Sequence, residues 1–255
     1  MKVLPASAGR QWIVEAIRLF RLQPAPLMAI FFLYLLAMVM LSVLPYLGPV
    51  LPLLLTPVFN MGFMEAARLA SAGQKAEPKT LIAGFYSPSL RRLTTLGALY
   101  GISLMLALWV ATLPGDNGWD LILQAQDKVD PKQVDASELL IGTVWGFIAM
   151  LPVLMLSWYA APLVMWKQLP LVKAMYFSFL ASSKNWRAFL VYGFFLLMLA
   201  GFLPAVCMEI LMLVMGRSEM VIFLILPVMA LLTCIRYLSY YPSYTDIFGQ
   251  PGNEG

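Results

Sequence analysis

Six stretches of this chain are long and apolar, and short loops of alternating charge sign separate them. They run over about residues 26–46, 48–68, 92–113, 139–166, 186–214 and 219–241. A helix that crosses a bilayer needs about 20 mostly apolar residues, so each stretch predicts one span. The first two are divided only by Pro45-Tyr46-Leu47-Gly48, a pair of helix breakers that closes a tight hairpin. Apolar character builds only near Pro26, so no cleavable leader is expected and the first span acts as the insertion signal.

A second pattern lies inside the first. Each even-numbered span carries an internal proline followed by valine, at Pro57-Val58, Pro152-Val153 and Pro227-Val228. The string Phe31-Phe32-Leu33-Tyr34-Leu35-Leu36-Ala37 is echoed by Phe194-Phe195-Leu196-Leu197-Met198-Leu199-Ala200. Semi-polar segments at 9–22, about 78–91 and 168–185 precede the three hairpins. The predicted fold is all-α and membrane-integral: three tandem hairpins, each preceded by an interfacial helix on the cytoplasmic side. It forms one domain over 1–255, with hairpin one at 26–68, the second unit at 78–166, the third at 168–241 and a tail at 242–255. The first interfacial segment is the clearest amphipath. Trp12, Ile13, Ala16, Ile17 and Phe20 share one face, and Gln11, Glu15, Arg18 and Arg21 the other.

Charge sets the orientation. All but three of the 17 basic residues fall on one side: Lys2, Arg10, Arg18, Arg21, Arg68, Lys75, Lys79, Arg91, Arg92, Lys167, Lys173, Lys184, Arg187 and Arg236. The exceptions are Lys128, Lys132 and Arg217. The loop at 115–138 is instead acidic, with Asp116, Asp120, Asp127, Asp130, Asp135 and Glu138. Basic residues in short loops stay on the cytoplasmic side. Both termini are therefore expected inside a bacterial inner membrane, and 115–138 outside.

Composition narrows the function. Hydrophobic residues make up 61% of the chain and charged ones 12%, against about 25% charged in an ordinary soluble domain. The net charge of +4 sits beside the spans, which suits anionic lipid rather than nucleic acid. There is no histidine, so the commonest general base and metal ligand is missing. Cys207 and Cys234 lie in different spans at different depths, which predicts reduced thiols rather than a disulfide. No nucleophile stands beside a base, and no glycine-rich phosphate loop is present. No catalytic, cofactor-binding or metal-ligating set emerges.

Membrane-depth polarity is mild. Thr56, Asn60, Ser157 and Thr233 lie near the three prolines and would line a central cavity, if one exists, or else bond to neighbouring backbone. Glu65 and Arg236 lie at similar predicted depth and could pair, an arrangement more often structural than catalytic. Gly97–Gly101 and Gly142–Gly146 are GxxxG pairs that let helices approach closely. The cluster Arg236-Tyr237-Leu238-Ser239-Tyr240-Tyr241-Pro242-Ser243-Tyr244 reads as an aromatic anchor at headgroup level. Residues 250–255 read as disordered. Arg18, Arg21, Arg91, Arg92 and Arg187 form a cationic rim for lipid headgroups.

Several residues carry a resemblance. They are Trp12, Leu19-Phe20 and Pro24, then Ser157-Trp158, Pro162, Pro170, Ala174, Ser178 and Asn185, and the closing Tyr244-Thr245-Asp246-Ile247-Phe248. On these the chain resembles a group of uncharacterised proteobacterial six-helix membrane proteins. More distantly it is similar to the membrane domain attached to some glycerophosphodiester phosphodiesterases. The catalytic domain of those enzymes has no counterpart here, so the resemblance implies no activity and no site residue. Two functions remain open. One is a non-catalytic membrane protein that binds lipid or a protein partner, as in envelope maintenance or assembly. The other is a transporter or exporter of a small or amphipathic solute.

The orientation is testable with single cysteines in a background lacking Cys207 and Cys234. Asn117→Cys and Gln126→Cys are expected to react with an impermeant thiol reagent in intact spheroplasts, and Gln74→Cys to stay unlabelled. Labelling of Gln74→Cys contradicts the charge-based orientation.

Overall fold

The computed structural model describes residues 1–114, 136–216 and 219–251. Residues 115–135 of the expected acidic loop, with Lys128 and Lys132, and also Arg217 and the last four residues, lie outside the described residues, whereas Glu138 falls in the first turn of a helix that begins at Ala136. Within them every element is helical. The order is α1 (Ala8–Leu22), α2 (Pro24–Ser42), α3 (Leu51–Ser71), a 3-10 turn (Pro78–Ile82), α4 (Leu90–Thr112), α5 (Ala136–Ser157), α6 (Ala160–Trp166), α7 (Leu171–Lys184), α8 (Trp186–Leu197), one π-helical stretch (Met198–Phe202), α9 (Leu203–Met215) and α10 (Glu219–Phe248).

Among the described residues five helical segments are long and apolar enough to cross a membrane: Pro24–Ser42, Leu90–Thr112, Ser137–Trp166, Trp186–Met215 and Phe223–Phe248. The remaining expected span, the second, is α3, a helix of 21 residues that falls short in apolarity. It carries Asn60, Glu65 and Arg68, and it buries Pro57 and Val58 together with most of the stretch from Met61 to Ala70. Its neighbours are α4, α10, α6, α2 and the 3-10 turn. A helix screened by protein needs no continuous lipid-compatible surface, so its composition relaxes.

Other boundaries also differ from the sequence reading. The second semi-polar segment forms only the short 3-10 turn Pro78–Ile82, not an interfacial helix. Its backbone lies directly on α3, where a Cβ on Gly62 would collide with the Leu81 carbonyl. The sixth span does not end near 241; α10 continues to Phe248, through Pro242. Pro57 is buried, whereas Pro152 and Pro227 are exposed, so the three prolines occupy unlike surroundings.

The fourth span is interrupted between α5 and α6. Pro162 has no N–H, and its ring crowds the carbonyl four residues earlier. At the break the Ser178 hydroxyl, from α7, stands in the helical ladder. It accepts from the Tyr159 N–H at 2.9 Å and donates to the Met155 carbonyl at 2.8 Å. One side chain thus replaces the lost i→i−4 bond, a recognised cause of a kink. Asn185, between α7 and α8, does similar work for the N-terminus. Its Oδ1 accepts from the Leu4 N–H at 2.8 Å, and its Nδ2 donates to the carbonyls of Ala181 and Lys2 at 2.9 and 3.2 Å. The Lys2 N–H donates to the Ile247 carbonyl at 3.0 Å, joining the two ends of the chain.

The apolar stripe of α1 is covered by protein. Trp12, Ala16 and Leu19 are buried, and α1 packs on α8 and α10. Trp12 stands edge-on to Phe189 and Tyr192, each at 5.5 Å, and its indole N–H donates to Asp246 Oδ2 at 2.9 Å. Buried side chains concentrate toward this end, which holds both termini. The far ends of α2, α4, α5 and α9 expose Val39, Met40, Trp109, Phe147 and Leu213. So much apolar surface suits lipid contact and not water. Between the far ends, Gly97 docks on the Leu54 backbone of α3 and Gly146 on Ala107 of α4. Each GxxxG pair therefore contributes to a different helix pair.

Ser178→Ala leaves the Tyr159 N–H and the Met155 carbonyl without their bridge. Orphaning a buried backbone group costs about 1–3 kcal/mol, so a lowered melting temperature is expected for the detergent-solubilised protein. Ser103→Ala removes a hydroxyl that only back-bonds to Leu99 on its own helix and is expected to change little. Equal melting temperatures for the two variants contradict the bridging role.

Candidate functional site

A cavity of about 420 Å³ lies among α2, α3, α4, the α5–α6 break and α10. Proline-bearing α3 supplies Leu53, Thr56, Pro57, Asn60 and Met64 to one wall. The opposite side comes from Leu154, Ser157, Trp158, Ala161 and Pro162, which flank the interruption that Ser178 stabilises. Leu96, Tyr100 and Leu104 come from α4, Tyr34 from α2, and Arg236, Tyr237 and Tyr240 from α10.

Thr56, Asn60 and Ser157 thus meet on one cavity, while Thr233 is not among its lining residues. Their states differ. Thr56 Oγ1 donates to the Pro52 carbonyl at 2.7 Å, and Ser157 Oγ to the Val153 carbonyl at 2.8 Å. Both hydroxyls are satisfied within their own helices and offer the cavity only lone pairs. Asn60 Oδ1 is buried with no hydrogen-bond partner among the described residues. Trp158 Nε1 also has none in hydrogen-bonding geometry, and the Tyr159 hydroxyl is an electrostatic neighbour of its ring. Buried polar atoms are nearly always paired, so an unpaired one asks for a reason.

Arg236 is the strongest charge on the cavity. Glu65 does not pair with it: Glu65 holds Arg68 through two bonds, at 2.6 and 2.9 Å, one turn along α3. A neighbour on its own helix face needs no ordering of a distant element, so it wins the carboxylate. Among the described residues no carboxylate pairs with Arg236. Its guanidinium lies 4.7 Å from the centre of the Tyr237 ring, with Tyr240 and Tyr192 as further neighbours. Packing fixes these rings. Tyr237 stacks on Phe63 at 4.5 Å, its hydroxyl shares a hydrogen bond of 2.9 Å with that of Tyr34, and Tyr192 bonds Ser239 at 2.6 Å.

The tyrosine cluster therefore faces the interior and is not a headgroup belt; Tyr241 and Tyr244 are buried. The sequence held the signal. Tyr237, Tyr240, Tyr241 and Tyr244 recur at i, i+3, i+4 and i+7, one face of a helix. The rim arginines are unequal as well. Arg92 donates to the carbonyls of Gln168 and Leu169 at 3.1 and 2.9 Å, and to Ser89 Oγ and Gln168 Oε1 at 2.9 Å each. It ties the start of α4 to the α6–α7 loop. Arg18 bonds Glu15 at 3.4 Å but stays exposed, Arg187 lies over Trp186 at 5.4 Å, and Arg21 and Arg91 are exposed. A second hollow, shallow and apolar, runs beside α2 between Leu33, Ala37, Phe59, Phe85 and the 3-10 turn. Among the described residues, no three His, Cys, Asp or Glu side chains gather as metal ligands would.

No protein-family model matches the chain, and no solved structure matches it. The distant likeness to the phosphodiesterase-associated membrane domain gains no support from these comparisons. A probable inner membrane protein of Burkholderia thailandensis is 35% identical over 258 aligned positions, covering 97% of this chain and 94% of its own length. The chain belongs to the family of this probable inner membrane protein.

Proposed function

We propose that this protein is a non-catalytic component of the bacterial inner membrane that binds a lipid or other amphipathic ligand in the cavity beside Asn60 and Arg236. It serves envelope maintenance or assembly, directly or through a membrane protein partner. In this reading α3 crosses as the sixth helix, shielded by its neighbours, and both termini lie on the cytoplasmic side with the basic rim. The observation that carries it is the gathering of a carboxylate-free arginine and an unpaired Asn60 Oδ1 on one cavity at the edge of the buried core. Exposed Arg18, Arg21, Arg91 and Arg187 would add attraction to anionic lipid, at about 1 kcal/mol each. The lack of histidine in the chain supports a binding rather than a bond-making role.

Transport is the second reading. It is favoured by one feature, that the cavity reaches Asn60, as a path between broken helices requires.

Mass spectrometry of protein purified in mild detergent decides between them. Co-purifying amphipath is expected at near-stoichiometric amounts after a delipidating wash, and Asn60→Leu is expected to lower its retention. Changing Arg18, Arg21, Arg91 and Arg187 together to Gln is expected to strip only loosely held anionic lipid. Unchanged retention in Asn60→Leu, together with dye flux in proteoliposomes that the same substitution abolishes, hands the case to transport.

A further inference from the structure

This inference rests on the cavity being a ligand site and concerns the class of ligand. Three observations bear on it. Among the described residues Arg236 is the only charged one on the cavity wall, and no carboxylate neutralises it. Removing a guanidinium from water is costly unless an anion and hydrogen bonds compensate it, and that cost rises as the surroundings become drier. The Tyr237 ring lies at 4.7 Å and the hydroxyls of Tyr237 and Tyr240 accept from the guanidinium, but neutral phenols leave its positive charge unbalanced.

The cavity also carries its charge toward one end, with Thr56, Asn60, Ser157, Tyr34 and Tyr100 interspersed among its apolar wall residues. Arg236 and Tyr240 sit at the end nearer the termini, whereas Leu53 and Leu104 come from the far portions of α3 and α4. Its volume of about 420 Å³ is at the low end of the roughly 300–1,000 Å³ of small-molecule sites. That accommodates one head and part of one chain, and not a whole two-chain phospholipid.

The geometry points to a single-chain amphipath with an anionic head, a carboxylate or a phosphate monoester, as the occupant. Arg236 grips two oxygens of the head with its planar fork, which a lysine cannot do. Asn60 Oδ1 accepts from a head-group hydroxyl, or its amide turns to donate. The chain runs along Leu104 toward Leu53, out of contact with any charge.

The probe is radiolabelled dodecyl phosphate, with the full chain in nanodiscs of zwitterionic lipid and empty discs subtracted. Saturable one-to-one binding is expected. Arg236→Gln is expected to weaken it by about 30-fold or more, the effect of truncating one partner of a buried charge pair, and Arg236→Lys by less. Asn60→Asp sets a fixed negative charge on the same wall and is expected to weaken it comparably, so it decides the matter if Arg236→Gln does not fold. Inorganic phosphate and dodecanol are expected to displace the probe poorly, because each lacks half of the recognised chemistry. Displacement by dodecanol as strong as by unlabelled dodecyl phosphate leaves the cavity as a ligand site and overturns the anionic head. Displacement by inorganic phosphate of that strength overturns the requirement for a chain. Binding unchanged in folded Arg236→Gln and Asn60→Asp moves the probe elsewhere and overturns the proposal. Saturable binding of neither dodecyl phosphate nor dodecanol overturns the ligand site as well.

Discussion

Deep in a bilayer there is no water to complete a hydrogen bond, so every interruption of a helix must be satisfied by another part of the protein. Much of this structure follows from that constraint. The fourth span breaks, and Ser178 bridges Tyr159 N–H and Met155 O. The chain enters the bundle beside Asn185, whose amide bonds three backbone groups. The Trp12 indole reaches Asp246 across two elements far apart in sequence. These are mostly short polar side chains placed at one end of the helices, and they fix α1, α6, α7 and the last turns of α10 into a single packed body. Small residues let these backbones approach: Ala160, Ala174, Ala181 and Ala188 are fully buried. The cavity is where this accounting stops, because among the described residues Asn60 Oδ1 has no partner and Arg236 no carboxylate.

The dense end and the open end do different jobs. At the end bearing the termini, aromatic rings interlock; Trp158 alone contacts Phe189, Tyr192 and Tyr240. Toward the other end the helices expose most of their apolar side chains, and little of Trp186–Met215 is buried inside the protein. A site between a packed floor and lipid-facing helices has its charge at its base and a largely apolar wall above it, interrupted by Thr56 and Tyr100. That combination suits an amphipath, whose head demands geometry and whose chain does not.

Sequence reasoning reached some of this and missed the rest for physical reasons. The membrane class, five of the span locations and the amphipathy of α1 follow from periodicity and length alone. Thr56, Asn60 and Ser157 were legible as neighbours because each lies close to a helix-perturbing proline. Thr233 was not separable from them, since depth along a helix says nothing of the face. Arg236 was legible as a charge but not as a cavity wall, because its presumed partner Glu65 has a nearer cation in Arg68. The tyrosines of α10 look the same whether they face headgroups or protein, and only their i, i+3, i+4, i+7 register favours protein. The face of α1 that reads as lipid-bound is covered by α8 and α10, an outcome that amphipathy cannot distinguish from membrane contact.

The central claim is that the cavity beside Arg236 is built around an occupant. Single-particle imaging of the full chain in nanodiscs made from native membrane lipid tests it most directly. The account predicts elongated non-protein density in the cavity, with its compact end against the Arg236 guanidinium and its tail along Leu104. A cavity closed by its own side chains, or Arg236 turned onto a carboxylate of the chain, would contradict it.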